Sequence, residues 1–168
     1  MNCPKFSYHI NLQGIFPRRR GASNIYLMQI AILDETRELE SGFKASLKKI
    51  ARTVLKSLDA PKNSELSISF IGDDKMRELN RTYRNIDRTT DVLSFPQGEE
   101  PDMTLLGDII ISLSTAERNS RRYGITREEE IKKLIVHGIL HIFGYDHKKK
   151  KERDEMREKE KEILLSLE

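Results

Sequence analysis

Three of the chain's four histidines, His137, His141 and His147, lie within eleven residues of one apolar segment. The four-residue spacing of the first two places them on one face of an α-helix, with Cβ atoms about 5 to 6 Å apart. Gly144 permits the backbone to reverse after that helix, so the third imidazole can return over the helix end. The pattern H-x-x-x-H-x-x-G-x-x-H therefore predicts a site in which three neutral imidazoles bind one metal ion.

Three protein ligands would leave the fourth tetrahedral position open for water or substrate, which is typical of catalytic rather than structural zinc. We predict one zinc ion per chain, although imidazole also suits copper, nickel and iron, and the spacing does not choose among them. Asp146, inside the motif, could orient a histidine or accept a proton. It could equally be a residue that only caps the turn.

The same ligand spacing occurs in the metzincin proteases, whose motif H-E-x-x-H-x-x-G-x-x-H carries a glutamate as general base. Gly138 occupies the position of that glutamate here. A peptidase mechanism would lack its proton acceptor. A metal-dependent peptidase or amidase therefore stays an alternative, but not the favoured one.

The histidines must be positioned by a helix that is apolar on nearly all sides and therefore buried. Thr126 and Glu129 have the spacing of a capping box that begins this helix, and Asp73 is well placed to cap an earlier one. Apolar periodicity predicts strands at 25–33, 66–70, 91–95 and 105–112, the first buried on both faces and the second half-buried. It predicts helices at 39–58, 73–83, 114–123, 126–143 and 149–167.

This order, β α β α β β α α α, predicts an α+β fold. We expect a single compact domain with a small mixed β-sheet of about four strands, about five helices, and the metal site at the end of a buried central helix. Residues 1–24 differ in character and are expected to form a flexible N-terminal extension, with the metal-dependent domain at 25–168. The single cysteine, Cys3, fits a reducing compartment. No apolar run approaches the roughly 20 residues of a membrane span, so we expect a cytoplasmic protein.

Three sequence blocks resemble the bacterial YbeY family of single-strand-specific endoribonucleases. They are HGILHIFGYDH at 137–147, LNRTYR at 79–84 with TDVLSFP at 90–96, and LGDI at 106–109. The resemblance implies zinc-dependent cleavage of single-stranded RNA in 16S rRNA 3′-end maturation and ribosome quality control. It also implies that His137, His141 and His147 bind zinc and that Arg84 is the catalytically important arginine.

Arg84 could hold the scissile phosphate through two parallel N–H donors and stabilise its developing charge. The nucleophile stays open between a water molecule activated at the metal and the RNA 2′-hydroxyl. A rival of another class is a binding module, in which metal only fastens the C-terminal helices and the protein docks onto ribosomal RNA without cleaving it.

A net charge of +3 and a pI near 8.9 permit an acidic polymer as partner without requiring one. Further phosphate contacts could come from basic residues on two predicted helices and on the run after the histidine motif. These candidates are Arg77, Arg81, Arg88, Arg118, Arg121, Arg122 and 148–151. Asp91 and Asp108, at strand starts, are expected to brace the sheet rather than join the site.

Overall fold

A mixed β-sheet with helices on both faces forms the frame of the molecule. The computed structural model describes residues 28–100, 103–147 and 149–167. Its strands are β1 Gln29–Asp34, β2 Ser64–Ile71, β3 Val92–Pro96, β4 Glu99–Glu100 and β5 Met103–Ser112. Its helices are α1 Ser41–Ser57, α2 Asp73–Arg84, α3 Leu113–Tyr123, α4 Arg127–Ile142 and α5 Lys150–Ser166.

The four main strands lie in the order β1-β2-β5-β3. Strand β2 pairs in parallel with both β1 and β5, whereas β3 runs antiparallel to β5. The two-residue β4 also pairs with β5. The predicted α+β architecture, with about four strands and five helices, is confirmed, and β4 is an addition within a segment predicted as loop.

Strand β5 separates two hydrophobic cores because its side chains alternate between the faces of the sheet. Ile109 and Ile111 point into the larger core, which α1, α4 and α5 complete. Ile110 points into the smaller core, where α2 contributes Met76 and Leu79. Helix α2 therefore packs on the face opposite α4, and Tyr83 near its C-terminal end contacts Phe95 of β3.

Helix α4 is the central helix of the larger core. It contacts α1, α3 and α5 as well as strands β3 and β5. Its apolar residues are almost completely buried: Ile131, Leu134, Ile135, Val136, Ile139 and Leu140. The predicted buried central helix is therefore confirmed.

Two details of the predicted elements are wrong. Strand β1 is an edge strand in which only Ile30 is buried, so it is not covered on both faces. Strand β2 is more buried than predicted because it lies between β1 and β5. The predicted start of the first strand at residue 25 lies outside the described residues.

Asp73 does not cap α2, since Gly72 is the N-cap and Asp73 is the first helical residue. Its Oδ1 instead accepts hydrogen bonds from the hydroxyls of Ser112 at 2.6 Å and Thr115 at 2.8 Å. Its Oδ2 lies 2.6 Å from Nη1 of Arg118. The carboxylate thus ties the start of α2 to the start of α3.

We predict that Asp73→Asn destabilises the protein at neutral pH but not in strong acid. Burial raises the pKa of Asp73, but the hydrogen bonds from Arg118, Ser112 and Thr115 and the charge of Arg118 outweigh it and bring the pKa to about 2. Because the folded-state pKa lies below the ordinary 3.8, the stabilisation is present above about pH 4 and is lost as pH falls toward 2. Its full size is about 2 kcal/mol.

Urea unfolding at a series of pH values checks this expectation. The difference in unfolding free energy between wild type and Asp73→Asn should shrink between pH 4 and 2. Asp74→Asn, at the exposed neighbouring position, should show a much smaller difference throughout. A difference of constant size across that range would contradict the assigned role.

Candidate metal centre and substrate cleft

The local sequence around α4 sets both ends of the helix. Thr126 Oγ1 accepts a hydrogen bond from the backbone N–H of Glu129 at 3.1 Å, and the backbone N–H of Thr126 donates to Glu129 Oε2 at 2.7 Å. At the other end, Gly144 adopts a φ of +87°, which favours glycine. Backbone N–H groups of Gly144 and Tyr145 then bond to carbonyls of the last turn. The predicted capping box and glycine turn are both confirmed.

The turn brings the three imidazoles together. His137 and His141 have Nε2 atoms 3.1 Å apart, and the ring of His147 has its centroid 5.9 Å and 5.0 Å from theirs. One nitrogen from each ring lies within 4.8 Å of the others. The sequence prediction that the motif converges is therefore confirmed, and this three-histidine cluster could bind a metal ion.

The cluster fits a metal ion in both distance and chemistry. Nitrogens bound to one tetrahedral zinc lie about 3.3 Å apart, given bond lengths of about 2.0 to 2.1 Å. The pair at 3.1 Å is close to that value. His147 is exposed, whereas His137 and His141 are half-buried, so the cluster opens toward solvent on one side.

The surroundings of His141 favour its neutral imidazole. Burial, followed by the charges of His137 and His147, lowers the pKa of His141 from 6.5 to about 4. A hydrogen bond with the backbone of Tyr145 and the charge of Asp146 offset only part of this shift. His141 is therefore neutral at pH 7, with a lone pair free for a cation.

Glu160 of α5 contacts the imidazole of His137 at Nδ1. Its Oε1 lies 3.3 Å from His137 Nδ1, and its side chain is only 16% exposed. A proton on Nδ1 donated to this carboxylate leaves the lone pair on Nε2, the atom that faces His141. No feature of the sequence singled out Glu160, which lies in a helix dense in Glu and Lys.

We predict that Glu160→Ala weakens metal binding by about 10-fold or more, because partners of this kind typically contribute 10- to 100-fold to metal affinity. Competition with a chelating dye measures the change directly. Glu160→Gln keeps an oxygen acceptor and should lose less, while Glu158→Ala, exposed on the same helix, should have no effect. Unchanged affinity in Glu160→Ala would remove this role.

Gly138 and Asp146 have different surroundings. A Cβ at Gly138 would lie 2.8 Å from Ile109 Cγ2 and 3.2 Å from Ser94 Oγ, so this position faces the sheet and not the imidazoles. Asp146 Oδ1 accepts a hydrogen bond from the backbone N–H of His147 at 2.7 Å. Asp146 thus shapes the turn that presents His147, while its predicted proton-accepting role stays untested.

The imidazoles lie in a cleft of about 710 Å³ that Arg84 also lines. Arg84 is the last residue of α2, and Asn85 ends that helix in the left-handed conformation that asparagine tolerates. The buried amide of Asn80 donates to the carbonyl of Arg88 at 2.7 Å and fixes the loop that follows. Arg84 itself is exposed and has no ion-pair partner among the described residues.

Five of the ten other basic candidates form ion pairs with carboxylates. Arg77 pairs with Asp87, Arg118 with Asp73, and Arg121 with Glu117. Lys149 and Lys151 pair along α5, and residue 148 lies outside the described residues. Besides Arg84, the cleft is lined by three cations without an ion-pair partner in the part of the chain that the structure describes, Lys133, Arg153 and Arg157. Sequence reasoning missed these three.

The two predicted sheet-bracing aspartates differ in position. Asp108 is buried on β5 and accepts a hydrogen bond from the Gln97 side chain, as a bracing residue would. Asp91 also accepts a hydrogen bond at Oδ1 from the backbone N–H of Val92. However, Asp91 lines the cleft beside Asn119, which donates to its Oδ2 at 3.3 Å. It therefore lies closer to the site than expected.

The family model for Endoribonuclease YbeY matches residues 29–168. The chain belongs to the YbeY endoribonuclease family. An Aquifex aeolicus protein named Endoribonuclease YbeY is 48% identical over 126 residues, covering 74% of this chain and 83% of the relative. A Heliobacterium modesticaldum protein of the same name is 40% identical over 156 residues, covering 82% and 94% of the two chains.

A solved structure agrees with the YbeY assignment. The solution structure of TM1509 from Thermotoga maritima superposes with a TM-score of 0.60 at 33% identity, covering 82% of this chain and 88% of that one. The resemblance predicted from the three sequence blocks is thereby confirmed. Neither the peptidase alternative nor the binding-module alternative is favoured by these relatives. Within the described part of this YbeY-family chain, no helix is long and apolar enough to cross a membrane.

Proposed function

We propose that this protein is a zinc-dependent endoribonuclease that cleaves single-stranded RNA during 16S rRNA 3′-end maturation and ribosome quality control. The observation that carries the proposal is the convergence of three imidazoles in a cleft that Arg84 also lines. The names of the relatives supply the reaction class. The substrate is ribosomal RNA, encountered on or near the ribosome in the cytoplasm.

Each residue of the site has a distinct role in this reaction. His137, His141 and His147 would hold zinc, which when bound polarises a phosphoryl oxygen or lowers the pKa of a water molecule toward 7. Arg84 binds the scissile phosphate and stabilises the charge that develops on it. Glu160 keeps Nε2 of His137 unprotonated toward the cleft.

Cations of the cleft that have no ion-pair partner within the described residues support an RNA path along the histidines. Arg84 lies at the end of α2, whereas Arg153 and Arg157 lie on α5, and all three line the cleft. Phosphates bound at these two helices would hold the strand in the cleft that contains the imidazoles. Such contacts are independent of sequence and weaken as salt rises.

We assign residues 25–168 to the endoribonuclease domain and residues 1–24 to an N-terminal extension. The family match from residue 29 to residue 168 supports this division. The described elements from β1 to α5 pack into two cores on the two faces of one sheet. The extension has no part in the proposed chemistry.

Cleavage assays with matched substrates test the function. Zinc-loaded protein should cleave an unstructured RNA, should leave the same RNA in a duplex intact, and should stop when a chelator removes the metal. Equal cleavage of a strand without 2′-hydroxyls would exclude the RNA 2′-hydroxyl as nucleophile. Failure to cleave any RNA, combined with chelator-sensitive cleavage of peptides, would overturn the proposal.

A further inference from the structure

Tyr123 presents an aromatic ring to the cleft at the end formed by α3 and α4. It is the last residue of α3, and its side chain is 55% exposed. Lys133 Nζ lies 5.1 Å and Arg122 Cζ 5.9 Å from the ring centroid. An exposed ring with cations nearby suits the stacking of a planar base whose phosphate is bound in the same cleft.

Glu130 lines the same cleft but is almost completely buried. Its residue exposure is 1%, and its Oε2 has no hydrogen-bond partner within the described ranges. A buried acceptor without a donor is unfavourable, and the first turn of α4, to which Glu130 belongs, supplies this oxygen with no donor. A ligand with an N–H or O–H group could therefore supply the hydrogen bond that this oxygen lacks.

We propose that Tyr123 and Glu130 form a base-binding subsite that selects guanine at one position of the RNA. The inference rests on the proposed function, since it deepens the substrate of the same cleft. The base stacks on the Tyr123 ring while its edge donates to the Glu130 carboxylate. Lys133, three residues after Glu130 on α4, faces the remaining carbonyl of the base.

The chemistry of a carboxylate distinguishes the four bases. An ionised carboxylate only accepts hydrogen bonds, and the Watson–Crick edge of guanine presents two adjacent donors, N1–H and the N2 amino group. Adenine and cytosine offer one amino group beside an acceptor nitrogen, and uracil offers one N–H between two carbonyls. The order of preference at this position is guanine first and uracil last. Single-stranded RNA exposes this edge for recognition.

The position of the subsite relates it to the metal cluster. Glu130 and His137 are seven residues apart on α4, which corresponds to two turns and about 10 Å along the helix axis. The cleft joins the two. The subsite therefore reads a base close to the cleaved bond, without contacting that bond.

Binding measurements on short 2′-O-methyl RNA, with the recovered strand checked for cleavage after each titration, test the subsite. Zinc-loaded protein is titrated with 2′-O-methyl pentamers of uridine that carry one guanosine or one inosine at each position in turn. Inosine keeps N1–H and the carbonyl but lacks the amino group. At one position guanosine should bind about 10-fold more tightly than inosine, the size expected of good base contacts. The other positions should not distinguish them.

Variants assign that difference to the two residues. Glu130→Gln should bring guanosine and inosine within about twofold at the selective position. Tyr123→Leu should weaken binding of every base there, whereas Tyr123→Phe should not. Glu128→Gln, exposed in the first turn of α4, should retain the wild-type preference.

Equal affinity of the wild type for guanosine and inosine at all positions would overturn the subsite, as would a preference that survives Glu130→Gln. The wild-type comparison needs no variant to fold. Cleavage of unstructured RNA, measured in parallel, separates the two proposals. Cleavage without guanine preference removes the subsite alone, and guanine preference without cleavage removes the endoribonuclease function alone.

Discussion

His141→Ala is expected to lose stoichiometric zinc and to cleave RNA at least about 100-fold more slowly than the wild type. Partners that only orient a ligand already contribute about 10- to 100-fold to affinity or activity, and removing a direct ligand should cost more. His141 is neutral at pH 7, and its Nε2 lies 3.1 Å from Nε2 of His137. The described cluster consists of three histidines, so no other side chain in it can replace His141 as a ligand. Elemental analysis and a cleavage assay on the same sample measure both effects.

The fold and RNA affinity of His141→Ala decide between catalysis and a purely structural metal. A catalytic site predicts near-wild-type thermal unfolding of the variant and near-wild-type RNA binding. Joint loss of stability and RNA binding would favour the binding-module alternative. Lys132→Ala is the matched control on α4, because Lys132 is not among the residues that line the cleft. Wild-type zinc content and cleavage in His141→Ala would refute the site assignment.

Arg84→Ala is expected to lower kcat for RNA cleavage by about 100- to 1,000-fold while leaving zinc content unchanged. This is the range observed when one stabilising donor is removed from a transition state. Arg84→Lys should recover only part of the loss, because lysine keeps the charge but not the paired N–H donors. The variant should fold normally, since Arg84 is exposed and makes no ion pair within the described residues.

Arg81→Ala provides the control for Arg84. Arg81 is exposed on the same helix but does not line the cleft. It should keep most of its activity, and both variants should be compared over a range of salt to separate general phosphate attraction from catalysis. Equal loss of rate in the two variants would assign Arg84 to nonspecific RNA attraction only.

The sequence predicted the histidine cluster well because its determinants are local. Helical spacing brings His137 and His141 together, the capping box begins the helix, and Gly144 reverses the chain. Each of these depends on residues within a few positions of one another. The geometry of the cluster therefore follows from a short segment.

Tertiary packing supplied what the sequence did not reveal. Glu160 reaches His137 from a separate helix, 23 residues along the chain. The edge position of β1 depends on strand order, which apolar content alone does not specify. Asp73 was predicted as a helix cap, but packing against α3 gives its carboxylate stronger partners in Ser112, Thr115 and Arg118.

The basic residues illustrate the same limit of local patterns. Arg77, Arg118 and Arg121 were candidates for phosphate binding by proximity in sequence, but each has a carboxylate partner in the fold. Arg153 and Arg157, which the sequence did not single out, lie on a helix dense in Glu and Lys and line the cleft. Which arginines line the cleft depends on where α2, α4 and α5 converge in the fold.

X-ray absorption at the zinc edge, on protein loaded and then washed free of excess metal, reports directly on the ligands of the bound ion. We expect one zinc per chain, bound by three imidazole nitrogens at about 2.0 to 2.1 Å and one exchangeable oxygen. His141→Ala should lose this spectrum. A washed protein without zinc, or a zinc ion enclosed by four protein ligands, would contradict a catalytic three-histidine centre.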